Sequence, residues 1–113
     1  MPSEPRRYRR YEVKLAVEVS AQGQLQVCES DDLGAGGCKV QLLFPLASGT
    51  LVRVRLRSER VPFELAGSAT VAWSTRDPPY RAGLAFSSNM EAEGARFVQA
   101  LLGPVAVLSP GRT

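Results

Sequence analysis

Histidine is absent from this chain of 113 residues. Without it there is no Ser-His-Asp or Cys-His arrangement, no HExxH and no His-based zinc site. Cysteine occurs only at Cys28 and Cys38, without CxxC spacing. Two thiols cannot complete a structural zinc site, and the pair reads as small buried hydrophobes kept reduced in a cytosolic protein. No GxxxxGK[ST] or GxGxxG follows a strand pattern and opens a helix. Asp31 and Asp32 are adjacent, so on a regular strand they would face opposite ways and serve poorly as a catalytic carboxylate pair. No enzymatic activity is expected. Long apolar runs are missing too: nothing approaches the ~18 residues that span a bilayer. The N-terminal arginines lead into an alternating pattern and not into the apolar stretch of a signal peptide. A soluble cytoplasmic protein with no membrane insertion is the expectation.

Net charge is almost absent from the body of the chain. Residues 1–10 hold Arg6, Arg7, Arg9 and Arg10 against Glu4 alone, whereas ten basic and ten acidic residues follow. An excess confined to one short segment favours a localised anion site over a broad nucleic-acid-binding face. With 44% hydrophobic and 22% charged residues, the composition is that of one ordinary globular domain. Its apolar content is enough for one core without disulfide or metal.

The chain divides into a flexible basic arm over 1–11, a folded body over 12–102 and a short tail over 103–113. Val13, Leu15, Val17 and Val19 alternate with polar residues, which predicts a half-buried first strand. After a turn at Ala21–Gln24, a second strand runs through Leu25, Val27 and Cys28. The composition of Ser30–Gly37 predicts a loop. Cys38, Val40, Leu42 and Phe44 form a third strand. Gly49 precedes a fourth, in which Arg53, Arg55 and Arg57 share one wet face. A fifth spans Phe63–Ser74, with a bulge or bend at Gly67, and a sixth spans Tyr80–Phe86. Met90–Leu102 suits a helix with one apolar face, capped by Ser88 or Asn89, with Glu91 and Glu93 in its first turn and Gly103-Pro104 as its stop. Six short strands without βαβ alternation indicate an all-β antiparallel barrel or sandwich.

Two motifs carry chemistry. Arg6 and Arg10 have the spacing Arg-x-x-x-Arg, and guanidinium forks grip phosphates, reach guanine O6 and N7 and stack on purines. In Asp32-Leu33-Gly34-Ala35-Gly36-Gly37, the carboxylate can accept from a guanine edge and the glycines let backbone approach a planar ligand. In this order the two are similar to the paired RxxxR and [D/N]xSxxG motifs of the PilZ family. Gly36-Gly37-Cys38-Lys39-Val40, Val71-Ala72-Trp73 and Arg81-Ala82-Gly83-Leu84-Ala85-Phe86 extend the resemblance from about Arg6 to Leu102.

The resemblance implies a six-stranded antiparallel barrel with a C-terminal helix, binding the second messenger cyclic di-GMP and needing no other cofactor. Arg6 and Arg10 would contact guanines or phosphates, with Arg7 and Arg9 adding phosphate contacts. Asp32 would accept from a guanine edge, and Gly37 would keep the turn close to the ligand. Tyr8 and Tyr11 could pack the arm on the barrel once ligand is bound, while Trp73 reads as a core or rim residue, with walling of the nucleotide site as the less favoured alternative. Gly34 departs from the motif serine; losing that hydroxyl is worth about 0.5–1.5 kcal/mol, so Gly34→Ser should tighten binding. The expected role is an effector or adaptor that passes the signal to a protein partner in trans. The alternatives are a degenerate adaptor that binds protein without nucleotide and a small barrel for single-stranded nucleic acid; the neutral body argues against the latter.

Overall fold

The structure is a computed structural model that describes residues 9–103. The expected tail beyond Gly103 and the arm before Arg9 lie outside the described residues. Six strands follow one another: β1 (Ala16–Ala21), β2 (Gln24–Gly34), β3 (Gly37–Gln41), β4 (Leu51–Leu56), β5 (Leu65–Ser74) and β6 (Arg81–Phe86). A short 3₁₀ turn, Ser88–Met90, leads into helix α1 (Glu91–Leu102). All strand pairings are antiparallel, in the order β1-β2-β3-β6-β5-β4, and β4 closes the barrel on β1 through pairs such as Val17↔Leu56 and Val19↔Val54.

Period-two alternation sends Val17 and Val19 of β1 and Val52, Val54 and Leu56 of β4 into the barrel, where they are almost fully buried. The intervening Arg53, Arg55 and Arg57 all face solvent, as expected. Cys28 and Cys38 are free and buried. Burial pushes their thiols up to about 11 and about 12 respectively, so both are protonated and inert at neutral pH. Helix α1 buries Phe97, Val98 and Leu101 at helical spacing. Phe97 meets Phe63 edge to face, with ring centroids 5.9 Å apart. Gly103 ends the helix at φ 69°, its N–H bonding to the Gln99 carbonyl.

Four local expectations are corrected. The loop expected over Ser30–Gly37 is mostly strand: β2 runs to Gly34, and only Ala35–Gly36 turn between the paired Gly34 and Gly37. Asp31 is an extra residue in that strand, since the register shifts between Ser30 and Asp32. Opposite the bulge the first strand leaves its ladder, which is why β1 begins at Ala16 and not at Val13. The Ser30 hydroxyl accepts from the Leu15 N–H at 3.0 Å and donates to the Val13 carbonyl. Backbone pairing resumes at Tyr11↔Leu33. Gly67 pairs regularly with Val54 and is not a bulge; the Met90 thioether packs where its side chain would be. The bulge of β5 lies between Val71 and Trp73 instead. Neither Ser88 nor Asn89 caps α1, because both belong to the 3₁₀ turn; the Ser87 hydroxyl donates to Asn89 Oδ1 at 2.6 Å.

Ser30 is fully buried and substitutes for two backbone partners. Ser30→Ala should therefore destabilise the fold by about 1–3 kcal/mol in urea unfolding, because a buried N–H and a carbonyl lose their partner. A change below about 0.5 kcal/mol would mean that water replaces both bonds.

Candidate functional site

Both bulges act on the same outer surface. On a regular strand β2, the inward Ser30 would be followed by an outward Asp31 and an inward Asp32. The extra residue sends both carboxylates outward and restores Leu33 to the core. The bulge in β5 does the same after the inward Val71: Ala72 and Trp73 both face out. The register then aligns Asp32 with Lys39, Lys39 with Gly83 and Gly83 with Trp73. Four strands thus carry one continuous outward row, about 14 Å long at ordinary strand spacing. Trp73 is 44% exposed. Its indole lies over Gly83, where any Cβ would collide with it. Trp73 is therefore not a core residue: its ring stands on the outer face, in the same row as Asp32 and Lys39. Two signals for it were in the sequence, Trp73 itself and a glycine in β6 with no turn to explain it, but only the register joins them.

Arg10 lies across this row. Its Nη1 donates to Asp32 Oδ1 at 2.7 Å, and the Lys39 backbone N–H donates to the same oxygen at 3.1 Å. Among the described residues none donates to Oδ2. Beside this pair, a concavity of about 480 Å³ is lined by Glu12, Lys14, Asp31, Asp32, Lys39 and Arg81. Three cations and three carboxylates so placed offer both phosphate-binding charge and acceptors for N–H edges. Among the described residues no cluster of side chains suits a metal ion.

The expected ligand residues separate into groups. Arg10 and Asp32 meet directly. Arg9 instead lines a second cleft of about 230 Å³, with Tyr11 and Ala35 and with Ala95, Val98 and Gln99 of α1. Arg6, Arg7 and Tyr8 lie outside the described residues. Tyr11 packs on the core, where its backbone bridges to Leu33. Gly34 is required by the arm: a Cβ there would stand 2.7 Å from the Arg9 carbonyl oxygen. Gly37 is required by the barrel, since a Cβ would strike the Leu84 carbonyl of β6. Its absent side chain therefore serves strand packing, whatever it does for a ligand.

Asp31 is held below the usual carboxylate range, chiefly by the Gln41 amide at 3.0 Å, against some desolvation and helped by Lys14 at 3.6 Å, Arg81 and Lys39. A depressed folded value stabilises the protein above the unfolded value of about 3.9; this is lost as pH falls through the folded value. Gln41→Ala should raise the Asp31 pKa in a carboxyl-carbon NMR titration and shrink its share of acid-side stability. An unmoved titration would assign the shift to Lys14 and its neighbours.

A family profile for the PilZ domain matches residues 4–103. No curated protein matches the chain. Among solved structures, the Bacillus subtilis inhibitor of motility MotI/DgrA superposes with a TM-score of 0.68 at 19% identity, over 88% of this chain and 53% of that one. The chain thus spans about half of MotI/DgrA. The PilZ domain of CeSA from a cellulose-synthesizing bacterium superposes with a TM-score of 0.67 at 20% identity, over 84% of this chain and 99% of that one. The closed six-stranded barrel with its C-terminal helix agrees with both, and the profile covers the arginine segment and the glycine hairpin together: the chain belongs to the PilZ domain family.

Proposed function

We propose that this PilZ domain is a cyclic di-GMP effector in which the nucleotide competes with an internal ion pair. The observation that carries the reading is the outward row of Asp32, Lys39, Gly83 and Trp73, with Arg10 already seated on Asp32. A cyclic dinucleotide presents two phosphates and two guanines. Asp32 accepts from a guanine N–H edge. Arg10, once displaced from Asp32, turns to phosphate or guanine, with Lys39 and Arg81 nearby and Arg6, Arg7 and Arg9 supplying further charge. The Trp73 face offers a stacking platform for a base.

The acceptor and the principal cation neutralise each other at 2.7 Å, so on this reading binding exchanges one charge-assisted bond for several. The moved arm then alters the surface shown to a protein partner. The same pairing also supports a second reading, an adaptor whose site is closed on itself and binds protein alone.

Calorimetric titration with cyclic di-GMP separates the two: absence of binding at high micromolar nucleotide favours the adaptor. Where binding occurs, Arg10→Ala should weaken it at least about tenfold, since charge-assisted bonds are worth about 1.5–3 kcal/mol. Trp73→Ala should weaken it about fivefold to a hundredfold, as lost base stacking would, whereas Arg55→Ala should leave it within about twofold. Gly34→Ser should tighten binding because it restores a donor, although its Cβ also meets the Arg9 carbonyl and shifts the arm there. Weaker binding by this variant would mean that the bound arm keeps its path across position 34.

A further inference from the structure

Away from the nucleotide row, the first half of β2 exposes apolar side chains that the fold does not use. Leu25 is 60% exposed and Val27 50% exposed. Leu43, two residues beyond the last β2–β3 pair at Glu29↔Gln41, is 67% exposed. Leu43 lies beyond β3, yet its backbone is fixed. The buried Gln26 accepts from its N–H at 2.7 Å and from that of Phe44 at 3.4 Å, and donates to the Phe44 carbonyl at 3.2 Å. Scattered apolar residues on a surface are ordinary, but Leu25 and Val27 share one outward face of β2 and Leu43 is anchored to Gln26, between them in sequence, so the three suit an interaction site.

This patch borders a shallow groove of about 220 Å³ that Leu25 shares with Glu18, Ser20, Arg53, Arg55 and Ala66. Arg55 and Arg57 both pair with Glu18 and Glu64, at 3.1 to 3.7 Å. Arg53 reaches only the Ser68 hydroxyl, at 3.5 Å, and among the described residues it meets no carboxylate. The arginine stripe is therefore not a phosphate track: two of its three charges are spoken for. One cation remains, in line with Leu25 across Ser20, as the Ser20↔Leu25 and Ser20↔Arg53 pairings place it. A closed barrel has no free edge, so a partner must dock by side chains and not as an added strand.

We propose that Leu25, Val27, Leu43 and Arg53 form a docking surface for a protein segment that presents apolar side chains beside a carboxylate. The inference deepens the partner half of the proposed function and rests on it, but it does not depend on nucleotide binding.

The test is an amide NMR titration of the full chain with two short synthetic peptides of identical leucine and valine positions, one carrying aspartates and the other lysines. Oligothymidylate serves as a third probe. The aspartate peptide should shift Leu25, Val27, Leu43 and Arg53. Arg53→Glu and Leu43→Ser, with wild-type thermal transitions, should each weaken it about fivefold or more. Equal or larger shifts with the lysine peptide or the oligonucleotide, shifts elsewhere, or no shift with any probe would overturn the proposal. So would a dimer of the chain alone, in sedimentation, that Leu43→Ser disrupts. Calorimetry with cyclic di-GMP on the same variants separates the readings: they should match the unsubstituted protein, and a chain that binds the peptide but no nucleotide retains this surface and loses the receptor.

Discussion

The extra residue at Asp31 governs more of this molecule than any single contact. Without it, the alternation of β2 would drive Asp32 into a barrel interior filled by valines and leucines, where a carboxylate has no place. With it, two adjacent carboxylates emerge on the same face and Leu33 returns to the core. The first strand must adjust to the same irregularity, and Ser30 bridges the resulting gap with its hydroxyl. The arm then rejoins the ladder at Leu33, which sets the distance at which Arg10 reaches Asp32. One inserted residue thus places the acceptor, shapes the entry of the arm and fixes the approach of its arginine.

Charge in the site is arranged as a balance and not as a trap. Arg10 occupies Asp32 at 2.7 Å, and Lys14 and Gln41 occupy Asp31. A fully cationic surface attracts polyanions without discrimination, whereas here Arg10 and Lys14 are each matched by a carboxylate. Gly34 belongs to this arrangement. Its missing Cβ leaves room for the Arg9 carbonyl and the Arg10 side chain, so the departure from the family serine coincides with a close approach of this segment.

The barrel was largely legible because valine and leucine alternation in β1 and β4, and helical spacing at Phe97, Val98 and Leu101, are local signals. The Ser30–Gly37 stretch was misread for an equally physical reason. Asp-Asp-x-Gly-x-Gly-Gly has the composition of a turn, and strand character there depends on β3 and the arm as pairing partners. Bulges are also invisible to a period-two reading, since one residue too many looks like a broken pattern. The outward aim of Trp73 was hidden in that way, as was the shared face of Asp31 and Asp32. Spacing and order single out Arg10 and Asp32 in the sequence, but their mutual ion pair is visible only in the geometry. The glycine at 37 carried a ligand role by resemblance, and the structure gives it a packing reason as well.

The pairing of β1 with β4 has a further consequence. A sheet with an outermost strand can register a signal by releasing that strand, and its amides exchange first at the frayed side. A closed ladder has no outermost strand, so every strand is held from both sides and opening any one requires breaking the ring. Such a body is poorly suited to changing its own shape. Any adjustment of shape is therefore left to what is attached to the ring, such as the Arg10 segment that pairs through Tyr11 and the helix α1 that packs on the barrel.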